Sequence, residues 1–184
     1  MTNEKELIAH YDANVEYHSA VRGENIDKVF EAVGLEVPHG KEVLDLGCGT
    51  GEFCREMWNL GNKVTGVDYS SVRTSHATAI TGTHIPFYCM TLQYFRLWWG
   101  LKADVITAFD VLEHLEQPAE VVESYKELLL PGGVIIAAVP LRMPYVAHLQ
   151  VWHNVFHVKE ELNASAVVSV MLDREYAVCT WRND

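Results

Sequence analysis

Between residues 42 and 139, five short apolar runs alternate with helix-like stretches, and this alternation restricts the chain more than any other feature. The runs cover 42–46, 63–67, 85–89, 104–109 and 134–139. Each but the last is followed by a break and then by apolar residues at three- and four-residue steps. Crossovers of that kind join parallel strands and lay helices on both faces of the sheet. The run 134–139 is apolar throughout, as a strand buried on both faces should be. The sequence therefore predicts an α/β fold: one central, mostly parallel sheet with helices on both sides. Runs at 167–172 and 175–181, around Asp173-Arg174, predict an antiparallel hairpin at the sheet edge. Helices are expected at 4–18 and 24–34, from a cap at Ser70 or Ser71 to about Ile80, and over the aromatic-rich 91–99. Another should start at Pro118 and run to about Leu130, with Val122, Tyr125 and Leu129 on one face and Glu120, Glu123 and Glu127 on the other. Pro131-Gly132-Gly133 reads as its stop.

The informative turn is Val43-Leu44-Asp45-Leu46-Gly47-Cys48-Gly49-Thr50-Gly51, a strand running into three glycines that open a helix. Glycines there let a ligand approach the backbone, and N–H groups at the helix start favour an anion or carboxylate. Asp68 ends the second strand, 17 residues after Gly51, and a carboxylate at that place suits the two hydroxyls of an adenosine ribose. The nicotinamide fingerprint G-x-G-x-x-G fits poorly, because the third glycine comes one residue early and Glu52 follows it. An acid in the first helical turn opposes a pyrophosphate but not a ligand carrying an amine and a sulfonium.

Four stretches in order, VLDLGCGTGEF, VTGVDYS, ADVITAFDVLEHLEQP and LLLPGGVIIAAVP, resemble the class I S-adenosylmethionine-dependent methyltransferases over about residues 40–140. The resemblance is strongest to the small-molecule branch that includes ubiquinone-biosynthesis O-methyltransferases, and it extends to HLQVWH from His148 and KEEL from Lys159. It implies a Rossmann-like sheet with strand order 3-2-1-4-5-7-6, S-adenosylmethionine as cofactor with S-adenosylhomocysteine as product, and methyl transfer to an oxygen or nitrogen of a small molecule. One domain over 1–184 is expected: a helical lid (1–38), a cofactor-binding core (39–140), and a substrate-side segment with edge strands (141–184). By resemblance, Asp45, Gly47, Cys48, Gly49 and Gly51 surround the methionine part of the cofactor. Asp68 holds the ribose hydroxyls and Tyr69 lies against the adenine. The backbone near Phe109 and Asp110 closes the site. After the third strand the family often has an acid for the adenine amino group. Here the stretch is Tyr88-Cys89-Met90-Thr91, so Met90 and its neighbours would hold adenine by backbone groups and packing.

His114, just beyond the fourth strand, is the candidate proton acceptor for a hydroxyl substrate. The plainer alternative is a hydrogen bond to a loop carbonyl. A second reading of the same stretch is a metal site. Asp110, Glu113 and His114 form a D-x-x-E-H cluster, with His148, His153 and His157 later in the chain. Some ubiquinone-type and small-RNA 2′-O-methyltransferases carry a related cluster with Glu in the first place. Tyr11, Tyr17, His18, Tyr145, Trp152 and Phe156 are candidates for an acceptor pocket, and the Trp98-Trp99 pair is expected at an interface or in packing. The N/D-P-P-Y-like tetrad of DNA amino-methyltransferases is missing, since Phe109-Asp110-Val111-Leu112 stands in that place.

Charge narrows the partners. The chain carries 14 Lys+Arg against 25 Asp+Glu, a net of −11, and no stretch is a basic patch, so a nucleic-acid partner is not expected. The N-terminus lacks the basic and apolar regions of a secretory signal, and no apolar run approaches a bilayer span. The four cysteines have no C-x-x-C spacing, so reduced thiols in a cytoplasmic protein are expected. A small-molecule acceptor is the expected partner. A homodimer, a metal-assisted RNA 2′-O-methyltransferase and a non-catalytic cofactor-binding subunit stay open.

Overall fold

The five apolar runs are the parallel strands of one sheet. The computed structural model describes residues 9, 12, 13, 19–141 and 155–183. Strands β1 (Glu42–Leu46), β2 (Lys63–Asp68), β3 (Phe87–Cys89), β4 (Ala103–Phe109) and β5 (Leu129–Pro140) are joined by helices. Strands β6 (Ala166–Met171) and β7 (Glu175–Arg182) follow. The order is β3-β2-β1-β4-β5-β7-β6, the order that the resemblance implies. Strand β7 pairs antiparallel with both β5 and β6, so the expected edge hairpin is present.

Each helix forms where a local signal starts it. Helix α1 (Glu24–Ala32) buries Ile26, Val29 and Phe30, and α2 (Glu52–Asn59) buries Phe53, Cys54 and Met57. Helix α3 (Ser71–Thr81) is capped by Ser70, whose hydroxyl accepts the Arg73 N–H, and α4 (Leu92–Trp98) is capped in the same way by Thr91. Helix α5 (Pro118–Lys126) starts on its proline and buries Val121, Val122 and Tyr125, while Glu120, Glu123 and Glu127 stay in solvent. Helix α6 is Val155–Leu162.

Side chains alternate along the strands, and the two faces build two cores. Leu44, Leu46, Ile106, Ala108, Ile135 and Ala137 pack with α4, α5 and α6. Val43, Val105, Val134 and Ile136 pack with α1 and α2 on the other face. The polar ends of buried aromatics are satisfied. The Tyr125 hydroxyl donates to the Leu92 carbonyl at 2.9 Å, and the Trp181 indole N–H donates to the Leu162 carbonyl at 3.1 Å. Trp99 stacks on Phe95 at 5.0 Å, so half of the Trp98-Trp99 pair is packing, while Trp98 remains exposed.

Two boundaries differ from expectation. The third strand begins at Phe87 because a single 3₁₀ turn, Gly82–His84, occupies the approach. Pro131-Gly132-Gly133 is no stop. Helix α5 ends at Lys126, Leu129 already pairs with Ala103, and β5 runs for 12 residues through the glycines. The register shifts between Ala103 and Val105, Gly132 takes φ 76°, and Asn183 exchanges backbone hydrogen bonds with Gly132 and Gly133. The motif is a bulge inside a long strand.

Strand β1 lies between β2 and β4, so the chain leaves it to one side and later returns on the other. The crevice at the carboxyl end of such a reversal is where open α/β sheets bind ligands.

Candidate active site

Asp45 sits at the floor of that crevice, and the sheet register explains its surroundings. Asp45 on β1 pairs with Thr107 on β4, and both point to the face covered by α2. The Thr107 hydroxyl donates to Asp45 Oδ1 at 2.7 Å, and the Cys54 thiol of α2 donates to Oδ2 at 3.3 Å. Burial outweighs these two bonds and pushes the Asp45 carboxyl up to about 7. The native state therefore holds a proton on Asp45 that the unfolded chain releases near pH 3.8. Its contribution to stability falls as pH rises from the ordinary value towards 7. Asp68, Asp110 and Glu113 are shifted in the same direction, chiefly by burial. Urea unfolding of Asp45→Asn between pH 4 and 7 should show a shallower decline in stability than the parent. An identical slope would reject the assignment.

The glycine loop is strapped to β2. The Gly47 and Cys48 N–H groups both donate to the Val67 carbonyl (2.7 and 3.0 Å), Gly49 N–H donates to Asp68 Oδ2 (3.0 Å), and Gly51 N–H donates to the Cys48 carbonyl (3.0 Å). These four loop donors are consumed inside the protein, and the helix start expected to favour an anion or carboxylate follows them at Glu52. Gly47 and Gly51 adopt φ 69° and 83°. A Cβ on Gly47 would lie 2.3 Å from Val111 Cγ2, and one on Gly51 would lie 2.8 Å from Ala77 Cβ. Cys48 is buried and faces the cleft, and burial pushes its thiol up to about 11, so it is a neutral wall.

Asp68 closes β2. Its Oδ1 accepts Ser70 N–H at 2.8 Å and its Oδ2 accepts Gly49 N–H. Each carboxylate oxygen can accept a second donor, so the pair that fastens the loop can also receive hydroxyls from the cleft. Tyr69 and Met90 line the same cleft, and Met90 N–H is held by the Asp68 carbonyl at 2.9 Å.

Phe109 is buried at the end of β4, edge-on to Phe53 at 5.1 Å, and lines the cleft. Asp110 follows with φ 56°, a left-handed conformation that costs a non-glycine residue roughly 1–2 kcal/mol. Its Oδ2 accepts the Ser19 hydroxyl at 2.6 Å and its Oδ1 accepts the Tyr176 hydroxyl at 2.9 Å. His114 ends a 3₁₀ turn, Leu112–His114, and faces the cleft with its side chain 8% exposed. Its backbone N–H donates to the Val111 carbonyl, and its Nε2 is 3.9 Å from Glu113 Oε1. Glu113 is 1% exposed, and burial together with the charge of Asp110 holds its carboxyl well above the ordinary range. Among the described residues no group of three or more His, Cys, Asp or Glu could hold a metal ion. His157 sits on α6 and meets Glu161 at 3.0 Å. His148, His153, Tyr11, Tyr17, His18, Tyr145 and Trp152 lie outside the described residues. Phe156 is exposed and not part of the cleft.

These residues share one cleft of about 750 Å³, within the range of small-molecule sites (~300–1,000 Å³). Asp45, Gly47, Cys48, Gly49, Asp68 and Tyr69 line it, as do Met90, Phe109, Asp110 and His114, while Gly51 lies one residue behind the wall. Sequence reasoning missed Thr107, Cys54, Ser19, Tyr176, Arg22 and Arg73. Only Thr107 had a signal, its place across from Asp45 in a parallel register. Buried Arg73 and the wall residue Arg22 are cations of the cleft.

A family model described as methyltransferase domain matches residues 17–161. The ubiquinone biosynthesis O-methyltransferase of Nitrosococcus oceani is 37% identical over 109 residues, which is 57% of this chain and 46% of that protein. The same-named protein of Pasteurella multocida is 38% identical over 109 residues, 52% of this chain and 45% of that one. The chain thus matches less than half the length of these relatives. Among solved structures, the N-methyltransferase NodS of Bradyrhizobium japonicum with S-adenosylhomocysteine superposes with TM-score 0.72 at 16% identity, covering 96% of this chain and 98% of that one. Magnesium protoporphyrin IX methyltransferase of Synechocystis with bound S-adenosylmethionine gives 0.62 at 16% identity, covering 96% and 81%. At such identities the shared property is the fold.

Proposed function

The chain belongs to the methyltransferase domain family, and we propose that it moves the methyl group of S-adenosylmethionine to an oxygen or nitrogen of a small molecule. The observation that carries this reading is the gathering of Asp45, the glycine loop, Asp68, Tyr69 and Phe109 around one cleft, with His114 on its wall. The donor set fits the cofactor. Asp45 and Asp68 offer acceptors to an ammonium and to ribose hydroxyls, Tyr69 and Met90 offer faces for a purine, and Arg22 offers a cation to a carboxylate. The ordinary names of the curated relatives support oxygen as the accepting atom.

When bound, S-adenosylmethionine supplies an electrophilic methyl carbon on a leaving group that departs neutral. The protein then has to align two reactants and exclude water. Asp45 and Asp68 fix the cofactor's two polar ends, and the Phe109–Phe53 pair forms a dry wall beside them. His114 accepts the proton of a hydroxyl acceptor at an imidazole nitrogen. Glu52, Asp110, Glu116 and Glu120 also line the cleft, which supports neutral or cationic acceptors over phosphorylated ones.

A thermal-shift comparison tests the reading. S-adenosylhomocysteine at about 100 times its Kd should add about 2.7 kcal/mol of stability, whereas NAD should add none. A shift with NAD alone would overturn the reading. His114→Ala should keep that shift and lower turnover of hydroxyl acceptors by about 10²-fold or more. Unchanged turnover would remove His114 from the chemistry.

No helix among the described residues is long and apolar enough to cross a membrane. We place the protein in the cytoplasm on its four free cysteines, and the acceptor among small molecules on the lining of the cleft.

A further inference from the structure

Asp110 combines two features that a turn alone does not require. Its backbone is left-handed, which glycine or asparagine would adopt more easily, and both its carboxylate oxygens are engaged by hydroxyls from opposite ends of the chain. Ser19 and Tyr176 lie 91 and 66 residues away from it. Ser19 Oγ also accepts the Val21 N–H at 3.1 Å, which leaves the hydroxyl proton directed at Asp110. Val21 is buried in the core, and Gly23 N–H donates to the Glu56 carboxylate at 3.1 Å. Ser19, Val21 and Arg22 line the cleft beside Asp110. On the far flank of β1, the Ser70 hydroxyl that caps α3 donates to Asp12. Residues N-terminal to α1 are thus fastened at the carboxyl ends of both β2 and β4, the two strands that flank the glycine loop.

We propose that Asp110 is a positioning residue whose carboxylate, braced by Tyr176, clamps residues 19–22 as a wall of the cleft and so sets how long the cofactor stays bound. The role rests on the reading of the cleft as a cofactor site, and it assigns no proton transfer to Asp110. Without the clamp, residues 19–22 keep the buried Val21, the Asn25 side-chain N–H on the Ala20 carbonyl (3.0 Å) and the neighbouring Gly23 N–H on Glu56, and the Ser19 end of the wall opens more often.

Two single variants test it: Ser19→Ala and Asp110→Asn, the latter chosen because asparagine tolerates the left-handed backbone. The readouts are S-adenosylhomocysteine dissociation, the KM for S-adenosylmethionine against kcat, and amide hydrogen exchange of peptides covering 19–22 in the free protein. Ser19→Ala and Asp110→Asn should release S-adenosylhomocysteine about tenfold faster, the value of one hydrogen bond to a charged group. Both should raise KM more than they lower kcat and speed exchange at 19–22. The double variant should be no faster than Asp110→Asn alone, because both remove the same contact. Ser19→Thr should restore slow release. Release and exchange rates unchanged in both single variants, or additive effects in the double, would overturn the proposal. If the parent binds no S-adenosylhomocysteine, the cofactor reading fails instead, and exchange at 19–22 still decides whether the clamp exists.

Discussion

Asp68→Ala should abolish S-adenosylhomocysteine binding in titration calorimetry, at concentrations that saturate the parent protein. The substitution removes both oxygens that would receive the ribose hydroxyls. It also orphans the Gly49 and Ser70 N–H groups that the carboxylate now holds at 3.0 and 2.8 Å. Two hydrogen bonds to a charged group are worth roughly 3–6 kcal/mol, a hundredfold in affinity or more. The orphaned N–H groups also relax the loop, at about 1–3 kcal/mol of folding stability for a buried donor left unpaired. The two losses separate experimentally. Affinity is read at low temperature where the variant is folded, and stability is read by urea unfolding without ligand. Retained affinity would move the ribose elsewhere in the cleft.

Gly51→Ala has the largest expected effect on folding. Gly51 is the residue before α2 and holds φ 83°, and its missing Cβ leaves room for α3. A methyl group there would meet Ala77 Cβ at 2.8 Å and Ala77 Cα at 3.3 Å, on a helix whose backbone cannot turn aside. Backbone strain and overpacking together should cost roughly 2–5 kcal/mol. The urea midpoint should fall accordingly. Adding Ala77→Gly should recover only part of the packing loss and leave the strain, because Phe87 Cζ at 3.1 Å and the Cα at 77 at 3.3 Å stay in place. Full recovery would mean that φ carries no cost, and no recovery would mean that the clash carries none.

The parallel sheet was legible because strands buried on both faces must be apolar and their connections must be helical, whereas its strand order came from the resemblance. The glycine loop and Asp68 were legible because their spacing is local. Sequence did not show how the loop spends its donors. The Gly47, Cys48, Gly49 and Gly51 N–H groups are used on Val67, Asp68 and Cys48. A turn that needs positive φ at several positions also needs internal fastening, and its partners lie on the next strand. Pro131-Gly132-Gly133 misled for a related reason: the same residues that end a helix also form a bulge when a neighbouring strand and Asn183 supply partners. Ser19 and Tyr176 had no pattern at all, since a hydroxyl that meets a carboxylate 91 or 66 residues away leaves no periodicity behind.

The place of β7 in the sheet has a consequence for the order of assembly. Strand β7 is inserted between β5 and β6, so β6, although made first, has no strand to lie against until residues 175–182 have been synthesised. Tyr176, which braces Asp110, is on that same late strand. Tyr176 therefore reaches the wall of the cleft after the glycine loop and Asp68 already stand on their own strands. A ligand that needs only β1, β2 and β4 can meet its floor before β7 is made, whereas the brace of the Asp110 clamp arrives with β7.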